Sequence, residues 1–215
     1  MSDDEATAIL MDSLDGTPLA EPRQLRFKTG HRRKFWNKNC VAIGLSSGFM
    51  EPLESTSIHL IQASIAKLMT LFPTRDFNQA DIDLYNRQSL SDFEQIRDFL
   101  VLHYKVTERN DSDFWNYCRQ MEISDFLRKK IELYQSSGRV FREGSELFNE
   151  TSWLAVMHGQ GIKAEAYHPL VDVLSPEEIH QRLMNIHSVI EQSVASMPQQ
   201  KKFMNPVLSP PMLII

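Results

Sequence analysis

The sequence predicts an α+β chain that is mainly α-helical, with a small β-containing portion ending near residue 50. Apolar residues recur at three- and four-residue spacing through 58–72, 80–104 and 176–197, the repeat of a helix with one buried face. The uniformly apolar Cys40-Val41-Ala42-Ile43, in contrast, has the length and composition of a strand covered on both faces. The pattern changes once, with no internal repeat or low-complexity tract.

Residues 4–14 read as a short helix with Ile9, Leu10 and Leu14 on one side, ended by Asp15-Gly16 and Pro18. Leu25 to Lys28 reads as a strand that turns at Thr29-Gly30, and Cys40 to Ile43 as a second strand. Two strands do not make a stable sheet alone, so they are expected to complete a sheet supplied by other sequence. In the helix over 58–72, Ile58, Ile61, Ile65, Leu68, Met69 and Phe72 share a face, and Pro73 closes it. The helix over 80–104 carries Ile82, Tyr85, Phe93, Ile96, Phe99, Leu100 and His103 on one stripe. Shorter helices are expected at Asp113 to Cys118, Ser124 to Tyr134 and Trp153 to Met157, with turns at Gly138 and Gly144. A final helix over 176–197 starts with Pro176 behind a Ser175 cap and is expected to bury Ile179, Leu183, Ile186, Ile190 and Val194. The segment 206–215 reads as a loose tail.

Hydrophobic residues at 42% and charged residues at 24% are ordinary for a globular protein. The net charge of -5 argues against a nucleic-acid partner. The basic run His31-Arg32-Arg33-Lys34 reads first as a solvated loop or strand edge. Cys40 and Cys118 lie in apolar or aromatic company, so buried free thiols are expected. No metal-ligand spacing occurs around them, no H-x-x-x-H pair exists, and no metal is expected. The acidic start Met1-Ser2-Asp3-Asp4-Glu5 is unlike a signal peptide, and no apolar run has the roughly 20 residues that span a bilayer. A cytoplasmic protein with no membrane association is expected.

The stretch from Gly44 to Ile58 carries the chemistry. It reads as a strand end, a loop of small residues and a helix start in succession. Gly44, Ser46, Ser47 and Gly48 would let a ligand approach the backbone closely, and crevices at strand ends are where ligands bind in open sheets. Ser55, Thr56 and Ser57 offer free backbone N–H groups at a helix amino terminus, where a small anion binds well. Glu54 adjoins them. Read from the residues alone, Glu54 and its neighbours are a helix cap first and a catalytic group second.

The run Gly48-Phe49-Met50-Glu51-Pro52-Leu53-Glu54-Ser55-Thr56 resembles the signature of the flavin-dependent tryptophan halogenases. Further segments resemble the same family. They include Thr29 to Trp36, Asn39 to Gly44, Tyr85-Asn86-Arg87, Arg97-Asp98-Phe99, Leu102 to Lys105, Phe114-Trp115, Cys118-Arg119 and Gly159-Gln160-Gly161. The likeness covers nearly everything from residue 3 to about 205.

The resemblance implies chlorination or bromination of tryptophan or another indole-type aromatic. Reduced FAD from a separate flavin reductase, oxygen and halide would yield hypohalous acid. That acid travels to a lysine, which with a glutamate delivers electrophilic halogen to the ring. By position, Glu54 would be the catalytic glutamate, and Thr56 and Ser57 would bind halide through their backbone N–H groups. Leu45 and Ile58 would touch the flavin, and Gly48 is grouped with them as a cofactor-binding position. The best-known tryptophan enzymes have glycine at the position of Ser57, so its side chain could narrow the halide cavity or add a hydroxyl contact.

No G-x-G-x-x-G follows a strand, so nothing here would hold a pyrophosphate. The segment with the family's catalytic lysine is missing too, and none of Lys28, Lys34 or Lys38 takes that role by position. The resemblance therefore implies a carboxy-terminal portion, expected to be inactive alone. Residues 1–50 would be the end of a flavin-binding sheet domain, and 51–205 a helical substrate and halide region. Trp115 and Trp153 are read first as core residues and second as a platform for the aromatic substrate. His103 reads as a hydrogen-bonded core histidine. Two other readings stay open: a related flavin-dependent aromatic monooxygenase and a non-catalytic helical fragment.

Overall fold

Helices dominate the computed structural model, which describes the backbone of residues 1–208 and the side chains of residues 1–204. The chain divides into two compact units, one of residues 1–134 and 140–163, the other of residues 135–139 and Ala164 onward.

The first unit opens with α1 (Asp3–Asp12). Its start is set by a reciprocal capping box, with Glu5 N–H donating to Ser2 Oγ at 3.2 Å and Ser2 N–H donating to the Glu5 carboxylate at 2.7 Å. Ile9, Leu10 and Leu14 are exposed. Leu25 to Lys28 is not a strand: it joins no ladder, and Leu25 and Phe27 are exposed. Pairing begins at the turn expected to follow it. Strand β1 (Gly30–His31) runs antiparallel to β4 (Gly48–Phe49), and β2 (Trp36–Asn37) runs antiparallel to β3 (Cys40–Val41). Two strands finishing a sheet supplied elsewhere were the expectation; the described residues hold four two-residue strands paired with one another.

The β2–β3 hairpin is anchored by a side chain. Trp36 N–H donates to Asn86 Oδ1 and Asn86 Nδ2 donates to the Trp36 carbonyl, both at 2.8 Å. The Asn86 amide thus does for Trp36 what a neighbouring strand's peptide would do. Cys118 is buried, whereas Cys40 is exposed, against the expectation of a buried thiol and a doubly covered strand. Uniform apolarity marks what a segment could bury, and a two-residue ladder covers little.

The helices are α2 (Ser57–Thr70), α3 (Gln79–Lys105), α4 (Asp113–Gln120), α5 (Asp125–Ser137) and α6 (Glu150–Gly159). α3 starts where the Asn78 side chain accepts from Ala80 N–H, and α4 and α6 start behind Ser112 and Asn149 caps. The stripe expected on α3 is buried from Ile82 to Leu100. Its upper part packs with Phe35, Trp36 and Leu60, while Phe99 and Leu102 pack with Leu127, Tyr134, Trp153 and Met157. Asp98 is buried and satisfied from two sides, by Ser124 Oγ at 2.6 Å and Arg97 Nε at 2.9 Å.

In the second unit a short 3-10 turn (Pro169–Val173) precedes α7 (Pro176–Ser196) and α8 (Gln200–Leu208). Ser175 and Glu178 form a second capping box at the start of α7, as the sequence predicts. The apolar stripe of α7 is not buried: Leu183, Ile186, Ile190 and Val194 are exposed, and Ile179 is half-buried. Of the tail expected over 206–215, residues 206–208 end α8 and the rest lies outside the described residues.

Candidate active site

Between β4 and α2 the chain passes through Glu51-Pro52-Leu53-Glu54-Ser55-Thr56. It bends sharply at Ser55, whose φ of 53° lies in the left-handed region and whose N–H donates to the Pro52 carbonyl at 2.9 Å. This bend leads into α2. The two glutamates of the loop reach consecutive residues in the last turn of α3. Glu54 Oε1 lies 3.0 Å from His103 Nε2, and the Glu51 carboxylate lies near the Tyr104 phenol. Burial first, and then the Glu51 carboxylate, push the Tyr104 phenol above its ordinary value.

Glu54 is thus engaged by His103, and α2 has no side-chain cap at Thr56. The first N–H groups of the helix are left without such a cap, the arrangement in which a helix terminus attracts an anion. Thr56 is buried and Ser57 exposed.

A hollow of about 250 Å³ brings together Leu45, Gly48, Thr56 and Ser57, walled by Ile61 and Phe93. Ile58 does not line it. Leu45 and Ile58 are 77% and 70% exposed, which leaves both as open apolar contacts. Gly48 is small for a different reason. A Cβ there would stand 2.7 Å from the Gly30 carbonyl oxygen and 2.8 Å from the Phe93 ring, so its space is filled by the β1–β4 ladder and α3. Close packing of the chain on itself accounts for this glycine.

A larger cleft of about 560 Å³ lies beside Leu53 and His103 and is walled by Tyr104, Arg109, Trp115 and Gly159 to Gly161. Trp115 stacks on Tyr104 at 6.1 Å and 17°, and the Arg109 guanidinium lies 4.4 Å from the Trp115 ring centre. Arg109 is also fixed by a two-bond pairing with Asp111. Trp115 therefore borders open space. Trp153 does not: it is fully buried, its indole N–H donates to Glu146 at 2.9 Å, and it offers no face to the cleft. Its place in the core follows from that bond and from edge-on packing against Phe99.

His103 reads from sequence as a core histidine. Half of that holds, since Nδ1 meets the Phe99 carbonyl at 2.9 Å, but the other ring nitrogen reaches Glu54. The signal was a titratable residue at the end of an otherwise apolar helical stripe. The basic run after β1 serves the strands: Arg32 N–H and Nε donate to the Ser47 and Ser46 carbonyls. Among the described residues no cluster of three His, Cys, Asp or Glu could hold a metal ion, and no helix is long and apolar enough to cross a membrane.

A family model described as tryptophan halogenase matches residues 1–176. Tryptophan 7-halogenase KtzQ of Kutzneria sp. (strain 744) is 37% identical over 136 residues, which are 63% of this chain and 26% of that protein. Among solved structures, Xcc4156, a flavin-dependent halogenase from Xanthomonas campestris, matches with a TM-score of 0.88 at 46% identity. BrvH, a flavin-dependent halogenase from Brevundimonas sp. BAL3, matches with a TM-score of 0.85 at 45% identity. Each match covers 95% of this chain, and 41% and 42% of the respective solved chains. The chain thus spans 26% of the length of KtzQ and 41% to 42% of the two solved halogenases.

Proposed function

The chain belongs to the tryptophan halogenase family, and from that membership we propose that it supplies the glutamate, the halide cradle and an apolar flavin contact of an enzyme that chlorinates or brominates an indole-type aromatic. The observation that carries this reading is Glu54. It follows directly on Leu53 at the edge of an aromatic-walled cleft, pairs with His103, and lies two residues before an amino terminus with no side-chain cap.

In this reading the ring of the substrate lies in the cleft beside Tyr104 and Trp115, within reach of Glu54. Thr56 and Ser57 hold the halide through backbone N–H groups, and the uncapped start of α2 supports that role. Leu45 and Ile58, both apolar and open, fit one edge of a flavin ring. The pyrophosphate has no matching glycine-rich turn in these 215 residues. When bound, reduced flavin with oxygen supplies the oxidising power that makes halide electrophilic. Residues 1–50 then form part of the flavin-binding domain and 51–205 the helical substrate and halide region. A separate flavin reductase and a cytoplasmic setting go with this assignment.

The test is Glu54→Gln, assayed with a flavin reductase, bromide and an indole substrate in a protein that carries the whole family fold. Loss of a positioned carboxylate should lower halogenated product on the order of 10²–10⁴-fold. Unchanged halogenation would remove Glu54 from the chemistry. Hydroxylated product in place of brominated product would favour the aromatic monooxygenase reading.

A further inference from the structure

We propose that His103 is a positioning residue that holds the Glu54 carboxyl through a shared proton. The inference deepens the reading above and rests on it for its functional meaning. The geometry itself stands apart from any reaction.

A carbonyl oxygen only accepts hydrogen bonds. His103 Nδ1 lies 2.9 Å from the Phe99 carbonyl oxygen, so Nδ1 carries a hydrogen. In a neutral ring Nε2 is then a bare lone pair, and that nitrogen faces Glu54 Oε1 at 3.0 Å. Nitrogen and carboxylate lone pairs repel at this distance. One proton between them, on nitrogen or on oxygen, turns the repulsion into a charge-assisted bond. A bond at this contact therefore needs one proton between the two groups.

The ring is held by the core beneath it. Phe99 meets it edge-on at 5.0 Å and is itself stacked on Phe148 at 3.8 Å. Phe99 belongs to the same buried cluster as Trp153 and Leu127. His103 therefore transmits the position of a rigid helix to a loop whose residues 52 to 55 are exposed. The Glu54 side chain is 34% exposed and that of His103 17%, so the contact is partly screened from water. Other charged groups bordering the cleft are Glu108 and Arg109, and Arg109 is engaged by Asp111.

The experiment is nitrogen-resolved NMR of the histidine rings in the 215-residue chain, compared with Glu54→Gln and Glu54→Asp. The chain has seven histidines, which gives six internal references. The expected result is a His103 ring protonated at Nδ1 whose Nε2 resonance moves in both variants while the other six stay. Using two variants leaves a reading if one of them fails to fold. A neutral His103 protonated at Nε2, or an Nε2 resonance unmoved in a folded variant, overturns the proposal. No product is measured, so failure of the pair is distinct from failure of the halogenation reading.

Discussion

Glu146 is a buried carboxylate with three donors. Lys130 Nζ lies 3.0 Å from Oε1, Glu143 N–H donates to Oε1 at 2.6 Å, and the Trp153 indole N–H donates to Oε2 at 2.9 Å. The Lys130 and Glu146 side chains are 4% and 2% exposed. Removing one member of such a pair leaves an uncompensated buried charge. Lys130→Met should therefore destabilise the fold by about 3–5 kcal/mol, and Trp153→Phe, which removes one donor, by about 1–3 kcal/mol. Urea unfolding measures both, and a Trp153→Phe variant as stable as wild type would show that the indole bond contributes nothing. The same residues mark how far the sequence could be read. Trp115 and Trp153 look alike in sequence, each an aromatic within a short helix. Only the position of Glu146, seven residues before Trp153, and the open cleft beside Trp115 separate a core ring from a cleft wall. His103 was legible as a hydrogen-bonded residue of the α3 stripe, but its second partner comes from a loop 49 residues earlier and has no local signal.

Helices were legible where local rules suffice. The capping box at Ser175 and Glu178 can be read from four consecutive residues, because both of its bonds are made within one turn. Ser175→Ala should cost about 1 kcal/mol of α7 stability. The Ser175 backbone N–H, and next its hydroxyl contact, hold the Glu178 carboxyl below its ordinary value. A carboxyl depressed in the folded state contributes stability that is fully present above the unfolded value and is lost as pH falls through the folded one. Amide exchange in the first turn of α7 should therefore speed up, relative to the intrinsic rate, as the solution is acidified below the ordinary carboxylate range. In Glu178→Gln that acid-dependent step should be absent, and its persistence would assign the step to another group. Strands were less legible. Leu25 to Lys28 has a β-like composition, yet pairing is made by Gly30–His31, since a strand exists only through its partner. Which residues face β4 depends on the route of the chain through Gly44 to Gly48, and period-two patterning does not record it.

Across the whole molecule, the helical body of the first unit has two buried clusters that share α3, one formed with the strands and α2 and the other with α5 and α6. These residues offer Leu45 and Ile58 as open apolar contacts but no glycine-rich phosphate turn. Titration of the 215-residue chain with FAD should therefore give no saturable quenching of flavin fluorescence at micromolar concentration. Saturable binding would mean that a flavin pocket forms by contacts not proposed above. The sequence by itself determined the mainly helical class, the starts of α4 and α7, the α3 stripe and the family, because propensity, capping and hydrophobic period act over a few residues. Only the tertiary structure decided that Glu54 pairs with His103 instead of capping α2, that Gly48 is small for the sake of the β1–β4 ladder, that Trp153 is core, and that the α7 stripe lies exposed. Each of those depends on groups brought together across tens of residues, or on what covers a face, and neither is written in local spacing.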